Sequence, residues 1–454
     1  MKPISQYHPI AKYSLYVLAI TLIFILSVLL INTQAFDEKS SPAVNLVMQP
    51  QDRISPQYNA YFYFLGLLAS NAQDPHEAGQ KLQQKYVDNR EKLGLDQLSA
   101  SDSTKILQIS ETESWFTQFE RCHARTQHFC FQQSLNNIKA LDFNSPRLIQ
   151  MLKRYARLTD YQDYQSPDKM TFASPIPAFG YALSLQQISL AHQFSTLEFD
   201  SFLIAIEKDI NFWRTLLLKS DILIVKMVAI AAIWYDVRYL SNIISQHHLS
   251  SVQVENIQQL LRPLNNKELD LSNAFRLEAQ TLYNQLAKLS RQNLQEIYGI
   301  KISFFDSMIQ VHATQNLHFE RYLSPMLVLS KLNSSAFYDA VQQGKTEHVT
   351  EQWFSLSPSN LYNPGGKLLL QNINWSPSDY IARMHDMNGM FNLVKLQLEL
   401  KNQSEFQPLQ WVNDSAYRNI YTLEPLIFNE QKQTLEFECL SKKSLCSISF
   451  GAHP

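Results

Sequence analysis

The stretch FLIAIEKDINFWRTLLLKSDILIVKMVAIAAIWY, from Phe202 to Tyr235, decides the fold. Phe202, Ile206, Ile210, Trp213 and Leu217 recur at the three-to-four-residue spacing that lines one face of an α-helix, with Glu207, Asn211 and Arg214 on the opposite face. Ser220-Asp221 then reads as a cap. From Ile222 to Tyr235 the chain is apolar on every side apart from Lys226, which implies a helix buried from several directions. Together these arms predict an αα-hairpin whose second arm lies in the core. The second arm is too short for a membrane span and carries a lysine, so it reads as a core helix.

The same spacing extends from about residue 57 to residue 400; Leu271, Phe275, Ala279, Leu282, Leu286 and Leu289, for example, mark a further amphipathic helix. Three helix starts use one device, a capping side chain followed by proline at the first helical position: Asp74-Pro75, Ser145-Pro146 and Ser376-Pro377. The expected architecture is mainly α, a solenoid- or toroid-like stack of antiparallel helix pairs, without the fixed-period repeat of a named repeat family. The pattern weakens near residues 290–315. Near 402–412 it gives way to β-like alternation, so residues 57–401 read as a helical body and 402–454 as a small appendage with a β-hairpin.

Composition agrees. The 454 residues include only 10 glycines, 45% of residues are hydrophobic and 18% charged, which excludes collagen-like, disordered and low-complexity chains. The net charge of −2 provides no basic field, so nucleic acid is not an expected partner.

Upstream of the body, SLYVLAITLIFILSVLLI, Ser14 to Ile31, runs 18 residues without a charge and reads as one transmembrane helix through which the chain contacts the lipid bilayer. Lys2 and Lys12 precede it and Asp37, Glu38 and Lys39 follow, so residues 1–13 are expected in the cytoplasm, 32–56 form a linker, and the body lies in the periplasm of an inner (cytoplasmic) membrane. The competing reading is a signal peptide cleaved after Thr33-Gln34-Ala35; both export the same domain.

An exported domain with four cysteines invites two disulfides. In TLEFECLSKKSLCSISF a hairpin centred between Lys442 and Lys443 sets Cys439 opposite Cys446, Phe437 opposite Ile448 and Leu435 opposite Phe450, all on one face. Cys122 and Cys130 are too far apart to bridge within a straight helix, so their disulfide predicts a break between helices. His123 and His128 flank this pair, but the spacing is not that of a structural zinc site.

Several polar groups invite a catalytic reading. Ser166-Pro167-Asp168-Lys169 matches the S-x-x-K of penicillin-recognising serine enzymes but lacks their S-D-N and K-T-G partners, Lys345-Thr346-Glu347 being one glycine short. Glu113-Ser114 resembles the acid of lytic transglycosylases without the Gly-rich segment that follows it there. Gly365-Gly366-Lys367 resembles the end of a phosphate loop without the earlier glycine or the following Ser/Thr, so a turn entering a helix is expected and nucleotide is not. Arg383, His385 and Asp386 sit among Met384, Met387 and Met390. His385 and Asp386 point about 100° apart on a helix, so each needs partners elsewhere, and the same holds for His247-His248 as a metal pair. No H-E-x-x-H or G-x-S-x-G occurs. No catalytic residue, cofactor or metal is assigned.

NAYFYFLGLLA with Asp74-Pro75-His76 and Gly79, then INFWRTLLLKSDILIVKM, YNPGGKLLL, and RMHDMNG leading into LVKLQLEL give the chain a resemblance to uncharacterised single-span envelope proteins of Gram-negative bacteria. The resemblance implies a membrane anchor and a largely helical fold, with no assigned reaction. The expected function is therefore binding or scaffolding of an envelope protein or polymer. A carbohydrate-active enzyme on an α/α toroid, with carboxylates in an aromatic-lined groove, is the alternative.

Overall fold

The computed structural model describes residues 8–49, 54–93, 105–107, 114–167, 174–289, 308–344, 358–371, 377–401 and 408–450. The chain is mainly helical, with one N-terminal apolar helix and a small antiparallel sheet near the C-terminus. It divides into two compact units, each discontinuous in sequence: residues 1–50, 279–325 and 347–375 form one, and residues 51–278, 326–346 and 376–454 the other.

The first unit carries the apolar helix, His8–Ile31, whose Lys12–Ile31 portion is long and apolar enough to cross a membrane and has no buried residue. The residues that follow, read above as a linker, are anchored by hydrogen bonds within this unit. Asn32 accepts from Asn363 N at 2.7 Å and donates to Leu361 O at 2.7 Å. The Asp37 carboxylate accepts from His312 N and Ala313 N at 2.9 and 3.0 Å, capping the helix Val311–His318. Ser41 then caps Pro42–Val47 through Val44 N. Here the Ser-Pro device recurs in a stretch the helical periodicity did not cover.

The second unit opens with a close helix contact. Ala60–Leu65 ends at Gly66, and Pro75–Leu93 starts on the Asp74 cap, whose Oδ1 accepts from His76 N and Glu77 N. A β-carbon on Gly66 would stand 1.9 Å from Pro75 O, and one on Gly79 would stand 1.8 Å from Phe62 O. The two backbones touch where only hydrogen fits. Ser145 precedes Pro146–Leu158 as expected, although its side chain makes no capping bond; Ser376 lies outside the described residues.

Phe179–Thr196, Phe199–Lys219 and Leu223–Gln246 follow with short connections. Phe202, Ile206, Ile210, Trp213 and Leu217 are buried, as is most of Ile222–Tyr235, with Ile224 exposed. Two details differ from the sequence reading. Arg214 is buried instead of solvent-facing, because its guanidinium forms a two-pronged pair with Glu268 (2.8 and 3.0 Å) and also donates to Arg262 O and Pro263 O. Ser220-Asp221 is not a helix cap: Asp221 turns to accept from Ser166 N and Oγ at 3.0 and 2.7 Å.

The sheet has order β1-β2-β3, with β1 Ile427–Asn429, β2 Thr434–Glu436 and β3 Ser447–Ser449. β2 and β3 form the expected hairpin, but Leu435 faces Ile448, a shift of two residues from the pairing read above. The turn itself lies where expected, Ser444 N donating to Ser441 O around Lys442-Lys443. Two extra residues are taken up ahead of the turn, because Leu440 N and Ser441 N bond Asp386 while Leu445 N bonds Arg125 O instead of its sister strand. A two-residue shift preserves the faces, so Leu435, Phe437, Ile448 and Phe450 remain buried. Phe437 lies over Gly389, whose added β-carbon would come within 2.2 Å of the ring.

Gly66→Ala should therefore destabilise the full chain by about 3 kcal/mol through overpacking. Gly344→Ala, in open space at φ +67°, should cost only about 1 kcal/mol of backbone strain. Urea denaturation in non-ionic detergent measures both; equal losses would contradict the close helix contact.

Candidate functional site

Two polar centres stand out in the second unit. The first is sealed. Asp209 and Asp236 both accept from Gln186 Nε2 at 2.8 Å, Tyr155 Oη donates to Asp209 Oδ1 at 2.5 Å, and Trp213 Nε1 donates to Asp209 Oδ2 at 3.0 Å. Burial raises both carboxyls, Asp209 to about 6 and Asp236 well above the usual carboxylate range, the nearby Asp209 charge adding to the rise at Asp236. Asp236 is thus the carboxyl of the pair that more strongly favours its protonated form. Asp209 is 4% exposed and Asp236 0%, so no sugar or water nucleophile has access to them, unlike the carboxyls of a glycosidase. The aromatic residues around the second unit's core, among them Trp213, Trp234, Tyr61 and Tyr239, are likewise fully buried.

The second centre reaches the surface. Cys122–Cys130 and Cys439–Cys446 are both disulfides, with Cα–Cα distances of 5.3 and 5.7 Å. The first closes the break between Ser114–Gln118 and Cys130–Asn137, as its spacing predicts. The two loops meet: Leu445 N donates to Arg125 O at 2.8 Å and Arg125 Nη1 to Ser444 Oγ at 3.3 Å. Beneath them, the Arg238 guanidinium of the helix Leu223–Gln246 donates to Ala124 O, Leu445 O and, at 2.9 Å, Ser447 O. Among the described residues no carboxylate pairs with it, and burial lowers its pKa to about 10. One cation therefore ties two disulfide loops to one helix.

Asp386 is the matching anion. It accepts from Tyr421 Oη at 2.6 Å, from Leu440 N and Ser441 N at 3.0 Å each, and from Ser441 Oγ. Burial raises its pKa against the lowering effect of these donors. His385, one residue earlier, turns away to Ser334 Oγ at 3.0 Å and stacks on Phe337, and burial lowers its pKa to about 4. The two residues do have separate partners, as the helix geometry requires. Arg383 pairs with Asp379 in the same turn of helix.

The remaining sequence candidates are structural or lie outside the described residues. Ser166 is buried against Asp221, and Lys169 is not among the described residues, nor are Glu113 and Lys345-Thr346-Glu347. Gly365-Gly366-Lys367 does enter a helix, Pro364–Gln371. Asn363, at φ +51°, accepts from Gln310 N and Gly366 N, and a β-carbon on Gly366 would stand 2.0 Å from Thr314 Oγ1. His247 lies against Phe194 and Phe199, and His123 is solvent-exposed. Asp386, Cys439 and Cys446 approach one another closely enough to hold an ion, but both sulfurs are bonded to each other. Sequence reasoning missed the Asp209–Asp236 pair and Arg238. The only available signal was a set of charges inside the most apolar helices. No family model, curated protein or solved structure matches the chain.

Two outcomes follow from these centres. Above the unfolded carboxyl pKa near 4, the folded chain keeps a proton on Asp236 that the unfolded chain releases, so this centre's contribution to stability falls as pH rises. Asp236→Asn removes that proton. The variant should gain on the wild type by about 1.4 kcal/mol per pH unit between pH 4 and 6, whatever the common trend of the histidines. Parallel urea-derived profiles would contradict the retained proton on Asp236. Separately, Arg238→Lys should lower stability by about 3 kcal/mol and speed reduction of both disulfides by dithiothreitol, read by thiol alkylation and mass spectrometry. Acceleration of one disulfide alone would contradict the common clamp.

Proposed function

We propose that this chain is an inner-membrane-anchored protein, N-terminus in the cytoplasm, whose helical body lies in the periplasm and binds an envelope partner, protein or polymer, without catalysing a reaction. One observation carries the reading: the described charged groups with the strongest burial serve as internal clamps, each holding backbone or another buried side chain. Arg154 gathers the carbonyls of Leu67, Ala69, Ser70 and Gln73, Lys226 donates to Leu217 O, and Arg238 and Asp386 hold the disulfide loops. Such a body is a rigid scaffold, and its two disulfides suit an oxidising compartment. A carbohydrate-active enzyme would need paired carboxyls facing a groove, and the described pair, Asp209 and Asp236, is sealed.

Topology and partner are tested together in intact cells. An alkaline phosphatase reporter fused after residue 454 should be active and one placed in the first 13 residues inactive. Cross-linking followed by mass spectrometry should return the same envelope component in repeated preparations. A cytoplasmic C-terminus, or no reproducible cross-linked component, would count against the proposal.

A further inference from the structure

The apolar helix His8–Ile31 enters the first unit without a tether. Its last residue, Ile31, is followed at once by Asn32, which is buried. Asn32 Nδ2 donates to Val28 O at 2.8 Å, inside the helix, and to Leu361 O at 2.7 Å, 329 residues further on. Its Oδ1 accepts from Asn363 N at 2.7 Å. The next residue is held as well, Thr33 O accepting from Gln310 Nε2 at 2.9 Å. Asn363, itself buried, passes the connection on. Its Oδ1 accepts from Gln310 N at 2.9 Å, immediately ahead of the helix Val311–His318, and from Gly366 N at 3.2 Å in the first turn of Pro364–Gln371. One buried pair of asparagines therefore joins the end of the apolar helix to the starts of two others.

The stretch after this pair leaves no slack either. Asp37 holds His312 N and Ala313 N. Asn316 donates to Glu38 Oε2 at 2.8 Å and to Lys39 O at 3.0 Å, and accepts from Ser41 N at 3.0 Å. The length of the apolar helix is a second, independent observation. Its Lys12–Ile31 portion has 20 residues, about 30 Å at the α-helical rise, which matches a typical hydrocarbon core without reserve. A longer span adapts to a thicker bilayer by losing tilt, but this one has no surplus to give up. Drawing it inward would pull Asn32 toward hydrocarbon, where its amide loses Leu361 O and Asn363 N and finds no replacement.

We propose that the apolar helix and the first unit are mechanically coupled: displacement of the helix along its axis passes through Asn32 and Asn363 to the starts of Val311–His318 and Pro364–Gln371. The stimulus is the hydrocarbon thickness of the surrounding lipid, which sets where the ends of the helix lie. The proposal rests on the membrane anchoring inferred above and adds what the anchor does.

The test uses the full chain reconstituted in vesicles of short-chain dimyristoleoyl or long-chain dierucoyl phosphatidylcholine. Flotation establishes insertion, and hydrogen exchange is read by mass spectrometry. In the longer-chain lipid, peptides covering 311–318 and 364–371 should exchange about tenfold faster than in the shorter-chain lipid, while those covering 223–246 stay the same. A variant with Gly-Ser-Gly-Ser inserted between Ile31 and Asn32 keeps Asn32 on Leu361 and Asn363 but frees it from the span, so its exchange should be slow and equal in both lipids. Equal exchange of the wild-type peptides in the two lipids, or an insertion variant that responds as the wild type does, would overturn the coupling. A chain that does not float with the vesicles would overturn the anchoring as well, whereas flotation without a response to the lipid overturns the coupling alone.

Discussion

The helix Leu223–Gln246 is enclosed on almost every side, and this enclosure dictates the rest of the second unit. A charge inside such a helix must find its partner within the protein. Its three charged positions solve this in different ways. Lys226 donates to Leu217 O at the end of the preceding helix, and burial lowers its pKa to about 8. Asp236 favours its protonated form and accepts, with Asp209, from Gln186. Arg238 remains charged and takes three carbonyls from two loops whose Arg125 and Ser444 lie 319 residues apart in sequence. Each solution joins the central helix to another part of the unit.

Much of the helical fold was legible because helix spacing is a local property. Phe202 through Leu217 and Leu271 through Leu289 announce their helices without outside information. The break at Cys122–Cys130 was equally readable, since a fixed rise per residue forbids that disulfide in a straight helix. The errors fell where a distant partner outweighs the local pattern. Arg214 looked solvent-facing because its partner Glu268 lies 54 residues further on, and Asp221 looked like a cap because Ser166 lies 55 residues back. The hairpin register moved by two because Asp386 and Arg125 compete for its backbone.

The same reasoning explains why motif-like fragments accumulate here without their chemistry. Asn363 with Gly366, and Asp386 with Gly389, are positions where a turn or a close approach demands particular residues. A scarcity of glycine concentrates the few that remain at such contacts.

The central claim is that the disulfide loops and the core helix form one cooperative unit through Arg238. Hydrogen exchange followed by mass spectrometry on the full chain tests it most directly. Peptides covering residues 439–447, including the Leu445 amide bonded to Arg125 O, should exchange as slowly as those covering 223–246 and should lose protection together with them as denaturant is added. Rapid exchange of 439–447 while 223–246 stays protected would contradict the account.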